Sequence, residues 1–121
     1  MDPFTDSSVP LIDSRHMLTL LVHGSKPCII YVYSPTCPHC IHGYPEYLKA
    51  VEALKDHKDQ YYRFDGSSAA HLELFKEIVG TAIKYYPMII GISKDGRIVE
   101  FNDGPVSSTN MEIFMKALYK T

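Results

Sequence analysis

The run Cys28-Ile-Ile-Tyr-Val-Tyr33 constrains this chain more than any other stretch, because six successive apolar or aromatic residues leave no polar face for water. Such a run reads as a central strand buried on both sides. Before it, Val9 to Ile12 reads as a short edge strand. Asp13 reads as the N-cap of a helix over His16 to His23, with Met17, Leu20 and Leu21 inward and Gly24 as its stop. After it, a helix is expected from Pro38 to about His57, with Ile41, Tyr44, Leu48, Val51 and Leu54 on one face. Pro45 lies inside that helix and should kink it, since it lacks an N–H and its ring meets the carbonyl one turn back.

The rest of the chain continues the alternation. Tyr61 to Asp65 reads as a strand, and Ser67-Ser68 opens a helix through Leu72, Phe75, Ile78 and Val79 to Gly80. Met88 to Ile92 and Arg97 to Phe101 read as strands joined by the hairpin signal Ser93-Lys94-Asp95-Gly96. Thr109 with Glu112 reads as a capping box opening a last helix, with Met111, Phe114, Met115 and Leu118 inward. The order predicts an α/β fold with a central mixed sheet of four to five strands and about four helices. At 121 residues it is expected to be one domain, 1–121, with residues 1–8 flexible.

Composition narrows the function. A formal net charge of -2 provides no basic field for phosphates, which argues against nucleic acid. The start, with Asp2 and Asp6, lacks the basic and apolar regions of a secretory signal, and no run approaches the ~20 apolar residues of a membrane span. A cytoplasmic location and no membrane partner are therefore expected. Three cysteines cannot build a disulfide framework, and two of them, Cys37 and Cys40, stand in a C-x-x-C spacing.

That pair directly follows the buried strand and opens the next helix. A thiol attacks a disulfide as thiolate, and the free N–H groups and positive dipole end of a helix start favour an anion at Cys37. Pro38 suits the first helical position, where its missing N–H has no helical partner. His39, protonated or donating a hydrogen bond, would add to the stabilisation. Cys40 follows one turn deeper on the same side as the resolving thiol. The more the Cys37 thiolate is stabilised, the stronger an oxidant the pair becomes.

With Pro45 five residues after Cys40, Tyr86-Pro87-Met88, the Lys94-Asp95-Gly96 hairpin and Gly104 before the last helix, the chain resembles the thioredoxin superfamily from about Asp13 to Lys120. The resemblance implies that Pro45 is the kink proline of the active-site helix. It also implies that Pro87 is a cis-proline, with Tyr86 bordering the dithiol and offering backbone to substrate. The Pro38-His39 dipeptide resembles that of the bacterial disulfide donor DsbA, whose potential lies about 150 mV above that of thioredoxin. Two departures accompany these matches: Thr36 stands where thioredoxins carry tryptophan, and Tyr31 stands where they carry a buried aspartate. Tyrosine is a poor proton acceptor at neutral pH, which argues against fast thioredoxin-type reduction. Tyr86 is bulkier than the residue usual before the cis-proline and reshapes the groove.

The expected function is a thiol–disulfide oxidoreductase acting on protein thiols and disulfides, on the oxidising or isomerising side. A thioredoxin-like reductase and a binding module without turnover are the alternatives. Zinc held by Cys37, Cys40, His39 and His42 is weighed against redox and set below it, since no second ligand pair stands at zinc-finger spacing. No flavin or nicotinamide glycine pattern is present, so no cofactor is expected, and electrons must pass to a separate recycling protein. The expected state is a monomer or weak dimer. Cys28 reads as a buried small residue of the strand, and Tyr85 with Tyr86 as contact surface.

Overall fold

Cys28–Tyr33 forms β1, and every residue in it is buried. In this computed structural model, which describes residue Phe4 and residues 9–102 and 104–120, β1 lies between two partners. It pairs in parallel with β2 (Tyr61–Asp65), Ile30 facing Tyr62, and antiparallel with β3 (Met88–Ile92), Ile30 facing Ile90. β4 (Ile98–Glu100) adds antiparallel to β3, giving the mixed four-stranded order β2-β1-β3-β4. The expected sheet of four to five strands with four helices is the one observed.

Alternation along β1 explains why both faces must be covered. Ile29, Tyr31 and Tyr33 point to one side, where they pack with residues of α2 (Pro38–Ala53) and α4 (Ser108–Tyr119). Cys28, Ile30 and Val32 point to the other, against α1 (Arg15–Val22) and α3 (Ala69–Val79). α4 buries Met111, Phe114, Met115 and Leu118, as its spacing predicts. Phe4 stacks on Tyr33 with ring centroids 4.1 Å apart, and is buried. The other residues expected to be flexible, 1–3 and 5–8, lie outside the described residues.

Several local expectations are corrected. The edge strand at Val9 to Ile12 is reduced to one bridge, Leu11 to Arg63, where Ile12 N donates to Arg63 O and Arg63 N to Pro10 O. The cap of α1 is Ser14, whose Oγ accepts from Met17 N at 3.1 Å, and not Asp13. Its buried residues are Leu18 and Val22, one turn apart, which turns Leu20 by roughly 200° from Leu18 and leaves it 59% exposed. α4 is capped by Ser107, accepting from Asn110 N, so Thr109 already lies inside the helix. α2 ends at Ala53 and not near His57, and a 3-10 segment, Lys55–Gln60, leads into β2. The buried line of α2 runs through Cys40, Tyr44, Tyr47 and Val51, so Tyr44 and Val51 lie inward as expected and are joined by Tyr47, which the expected face lacks. Pro45 stands exposed inside α2, which continues on both sides of it. Its missing N–H leaves the first turn without the bond that would reach back to Ile41.

Candidate active site

The end of β1 delivers the chain through Ser34 to Thr36 into the start of α2, and Cys37 is the N-cap residue of that helix. Its backbone is extended (φ -80, ψ 119), its N–H bonds Ser34 O at 3.1 Å, and its carbonyl accepts from Ile41 N at 3.1 Å. Pro38 takes the first helical position. The geometry places the half-buried Cys37 sulfur where the first-turn N–H groups lack helical partners. Cys40, one turn in, is fully buried, and both residues are free thiols. Burial, chiefly, pushes the Cys40 thiol up to about 12; the Ser34 N–H works against this shift, and the adjacent Cys37 adds to it.

The segment before β3 closes the site. The Tyr86–Pro87 bond is cis, and the Cys37 Sγ lies 3.8 Å from the Tyr86 carbonyl oxygen, within donor reach for a thiol. The Tyr86 hydroxyl donates to Gly66 O at 2.5 Å, at the corner between β2 and α3. Tyr85 donates its hydroxyl to Glu100 of β4, and Lys84 pairs with the same carboxylate at 3.5 Å. Three successive side chains are thus tied to structure on both sides of the loop.

Beside the thiols runs an open groove of about 330 Å³ lined by His39, His42, Gly43, Tyr86, Pro87 and Val106. Tyr86, Pro87 and His39 therefore meet where the sequence places them, while Pro45 lies on the outer face of α2, away from this lining. Three further residues take part. Val106 arrives from the segment before α4. Gly43 is required because a Cβ there would stand 2.9 Å from the Tyr31 hydroxyl and 3.2 Å from Val106 Cγ1. Tyr31 itself donates to the Cys40 carbonyl at 2.8 Å. Helical spacing from Cys40 marks Gly43 as neighbouring the dithiol, and the resemblance sets Tyr31 where thioredoxins carry the buried aspartate, while nothing in the local pattern marks Val106.

Cys28, at the far end of β1, faces the opposite side of the sheet and is held protonated by burial, its thiol pushed up to about 12. Among the described residues, no three of His, Cys, Asp and Glu converge in a way that could hold a metal ion. Nor is any helix among them long and apolar enough to cross a membrane.

No family model matches the chain. A protein disulfide-isomerase of Drosophila melanogaster is 28% identical over 94 residues, which cover 78% of this chain and 18% of that protein. The structure of human ERp44 superposes with a TM-score of 0.73 at 14% identity, over 97% of this chain and 32% of ERp44. Chloroplastic thioredoxin z superposes with a TM-score of 0.67 at 14% identity, over 93% of this chain and 96% of its own. The chain has the thioredoxin fold. In this thioredoxin-like frame the dithiol stands at a strand-to-helix switch and the cis-proline loop stands opposite it, each positioned by β1 or β3 at the centre of the sheet. The chain spans less than a fifth of the isomerase and about a third of ERp44.

Proposed function

We propose that this chain is a thiol–disulfide oxidoreductase that exchanges disulfides with protein substrates through Cys37 and Cys40, on the oxidising or isomerising side. The observation that carries the reading is the Cys37 sulfur at the start of α2, half-exposed and 3.8 Å from the Tyr86 carbonyl, with Cys40 buried one turn behind. The 28% identity to a protein disulfide-isomerase supports the same reading.

Each residue has a role. Cys37 thiolate attacks one sulfur of a substrate disulfide, and the other substrate sulfur leaves as thiolate. Attack by Cys40 on the mixed disulfide would release the substrate reduced and leave the Cys37–Cys40 disulfide. In the oxidising direction a substrate thiolate attacks Cys37 of that disulfide, and a second substrate thiolate displaces Cys37. The backbone of Tyr86 and Pro87 orients an extended substrate segment, and His39 with His42 edges its path. Pro38-His39, of the DsbA type, tilts the balance towards oxidation. A separate redox protein returns the pair to its working state.

Turnover of a reduced or scrambled protein, followed by regain of its native activity, tests the proposal. Cys37→Ser is expected to abolish it and Cys40→Ser to accumulate mixed disulfides; turnover persisting in Cys37→Ser would overturn the reading. Equilibration with glutathione then fixes direction: the expected potential lies above the roughly -270 mV of thioredoxin.

A further inference from the structure

The dithiol hangs between two legs of chain, the end of β1 and the opening turns of α2. Tyr33 closes the first leg, just before Ser34, whose carbonyl accepts from Cys37 N at 3.1 Å. Tyr44 stands on the second leg, one turn beyond Cys40, and both tyrosines are buried. A ring that belongs to neither leg touches both. Phe4, from the stretch that the sequence leads one to expect flexible, is 1% exposed. It stacks on Tyr33 with centroids 4.1 Å apart and planes at 22°, and meets Tyr44 at 4.9 Å and 59°.

Tyr31 completes a circle of four rings. It lies 6.3 Å from Tyr33 and 5.3 Å from Tyr44, and its hydroxyl holds the Cys40 carbonyl. Three of the four rings come from the two legs themselves, and Phe4 is the one supplied from elsewhere in the chain. Aromatic contacts of this kind contribute beyond the area they bury. A close-packed interior also holds its members in place, and an emptied ring site lets the neighbours relax into it.

We propose that Phe4 is a positioning residue of the dithiol: its ring clasps Tyr33 to Tyr44 and so fixes the approach of Cys40 to Cys37. The inference rests on Cys37 as the attacking thiol. A bridge between the two cysteines requires their Cβ atoms about 3.5–4.5 Å apart, and a shift of either leg changes that separation. Attack by Cys37 on an external disulfide needs only its own half-exposed sulfur. Closure by Cys40 needs both legs in place, and its advantage over an external thiol comes from held geometry. Phe4 therefore acts on closure and not on the first attack.

The test uses the full chain with glutathione disulfide as the probe. Cys37 thiolate attacks one of its sulfurs, forming Cys37–glutathione and releasing one glutathione thiolate. Cys40 thiolate then attacks the Cys37 sulfur, forming the Cys37–Cys40 bridge and releasing the second. The dithiol is oxidised and the glutathione disulfide reduced. Phe4→Ala is expected to leave the first rate within about twofold and to slow the second about tenfold. The equilibrium constant for closure should fall about tenfold as well, which raises the potential by about 30 mV. Phe75→Leu, buried on the opposite face of the sheet, should lose stability without moving that constant. A constant within about twofold of the native one in Phe4→Ala, or an equal shift in Phe75→Leu, would overturn the inference. If Phe4→Ala does not fold, Phe4→Leu, which fills the site without a ring, decides the matter. A shift of about threefold or more is then expected, and a smaller one overturns the clasp. Failure of Cys40→Ser to take up glutathione on Cys37 would instead overturn the proposed function itself.

Discussion

The Tyr31 hydroxyl donates to the Cys40 carbonyl across 2.8 Å, tying the central strand to the turn of helix that carries both thiols. Both groups are buried, so removing the hydroxyl leaves a carbonyl that water does not reach. A buried hydrogen bond of this kind contributes about 1 kcal/mol, and more where the partner is stranded. Tyr31→Phe is therefore expected to lower the urea midpoint by that equivalent while leaving the slope of the unfolding transition unchanged. No loss of stability would show that the bond is replaced within the turn.

The same hydroxyl limits what can stand at Gly43. An alanine Cβ would meet it at 2.9 Å and Val106 at 3.2 Å, so either α2 or Tyr31 must shift. Overpacking at such a point costs about 1–3 kcal/mol. Gly43→Ala is expected to fold with that deficit and to lose turnover more than stability alone explains, because the shift moves the dithiol turn. The double variant Gly43→Ala with Tyr31→Phe should recover part of both losses; a strictly additive result in thermal melts and turnover would refute the contact.

The contrast between Cys37 and Tyr31 shows which parts of the site sequence can announce. Cys37, Pro38 and Cys40 reveal themselves because their chemistry depends on neighbours along the chain: a helix start and a spacing of one turn. β1 is equally plain, since a run with no polar residue has no exposed alternative, and its bounds at Cys28 and Tyr33 are those observed. Caps are less secure where two suitable side chains adjoin, as Asp13 and Ser14 do; packing of Leu18 and Val22 sets the phase of α1 and selects the serine. Helix α2 shows Tyr44 by its spacing but hides Tyr47, because tyrosine is amphipathic and the pattern alone does not say that it is buried. The Tyr86–Gly66 and Tyr85–Glu100 bonds join residues 20 and 15 positions apart, and no local preference encodes them.

Burial of the thiols has a consequence at alkaline pH. Cys28 is pushed from an ordinary value of 9.0 up to about 12 by desolvation, and Cys40 moves the same way. A raised folded-state value means that the native protein keeps a proton that the unfolded chain loses. The stabilisation is therefore complete below pH 9 and declines as pH rises towards 12, by at most about 1.4 kcal/mol per pH unit for each thiol. Denaturant midpoints between pH 8 and pH 10 should fall, and Cys28→Ala should flatten that fall although the variant is less stable at neutral pH. An unchanged decline in Cys28→Ala would assign it to other groups.

Glu100 tests whether the proline loop needs its outer anchor. This carboxylate, on the edge strand β4, accepts from the Tyr85 hydroxyl and pairs with Lys84, while Tyr86 is held from the other side by Gly66. The hydrogen bond to Glu100 is the largest influence on the Tyr85 phenol, pushing it up to about 12, so the bond persists across the neutral range. Lys84 is exposed, so its pair with Glu100 adds little. Glu100→Ala should free the loop and blur the position of the Tyr86 backbone without touching either thiol. A loss of about 1 kcal/mol in orientation corresponds to roughly a fivefold rise in KM for a protein substrate, with kcat and the dithiol potential nearly unchanged. Glu100→Gln, which keeps an acceptor for Tyr85 but not the charge, should recover most of that loss. A fall in kcat with KM unaltered would show that the loop is held by Tyr86 and Gly66 alone, and that β4 contributes nothing to substrate positioning.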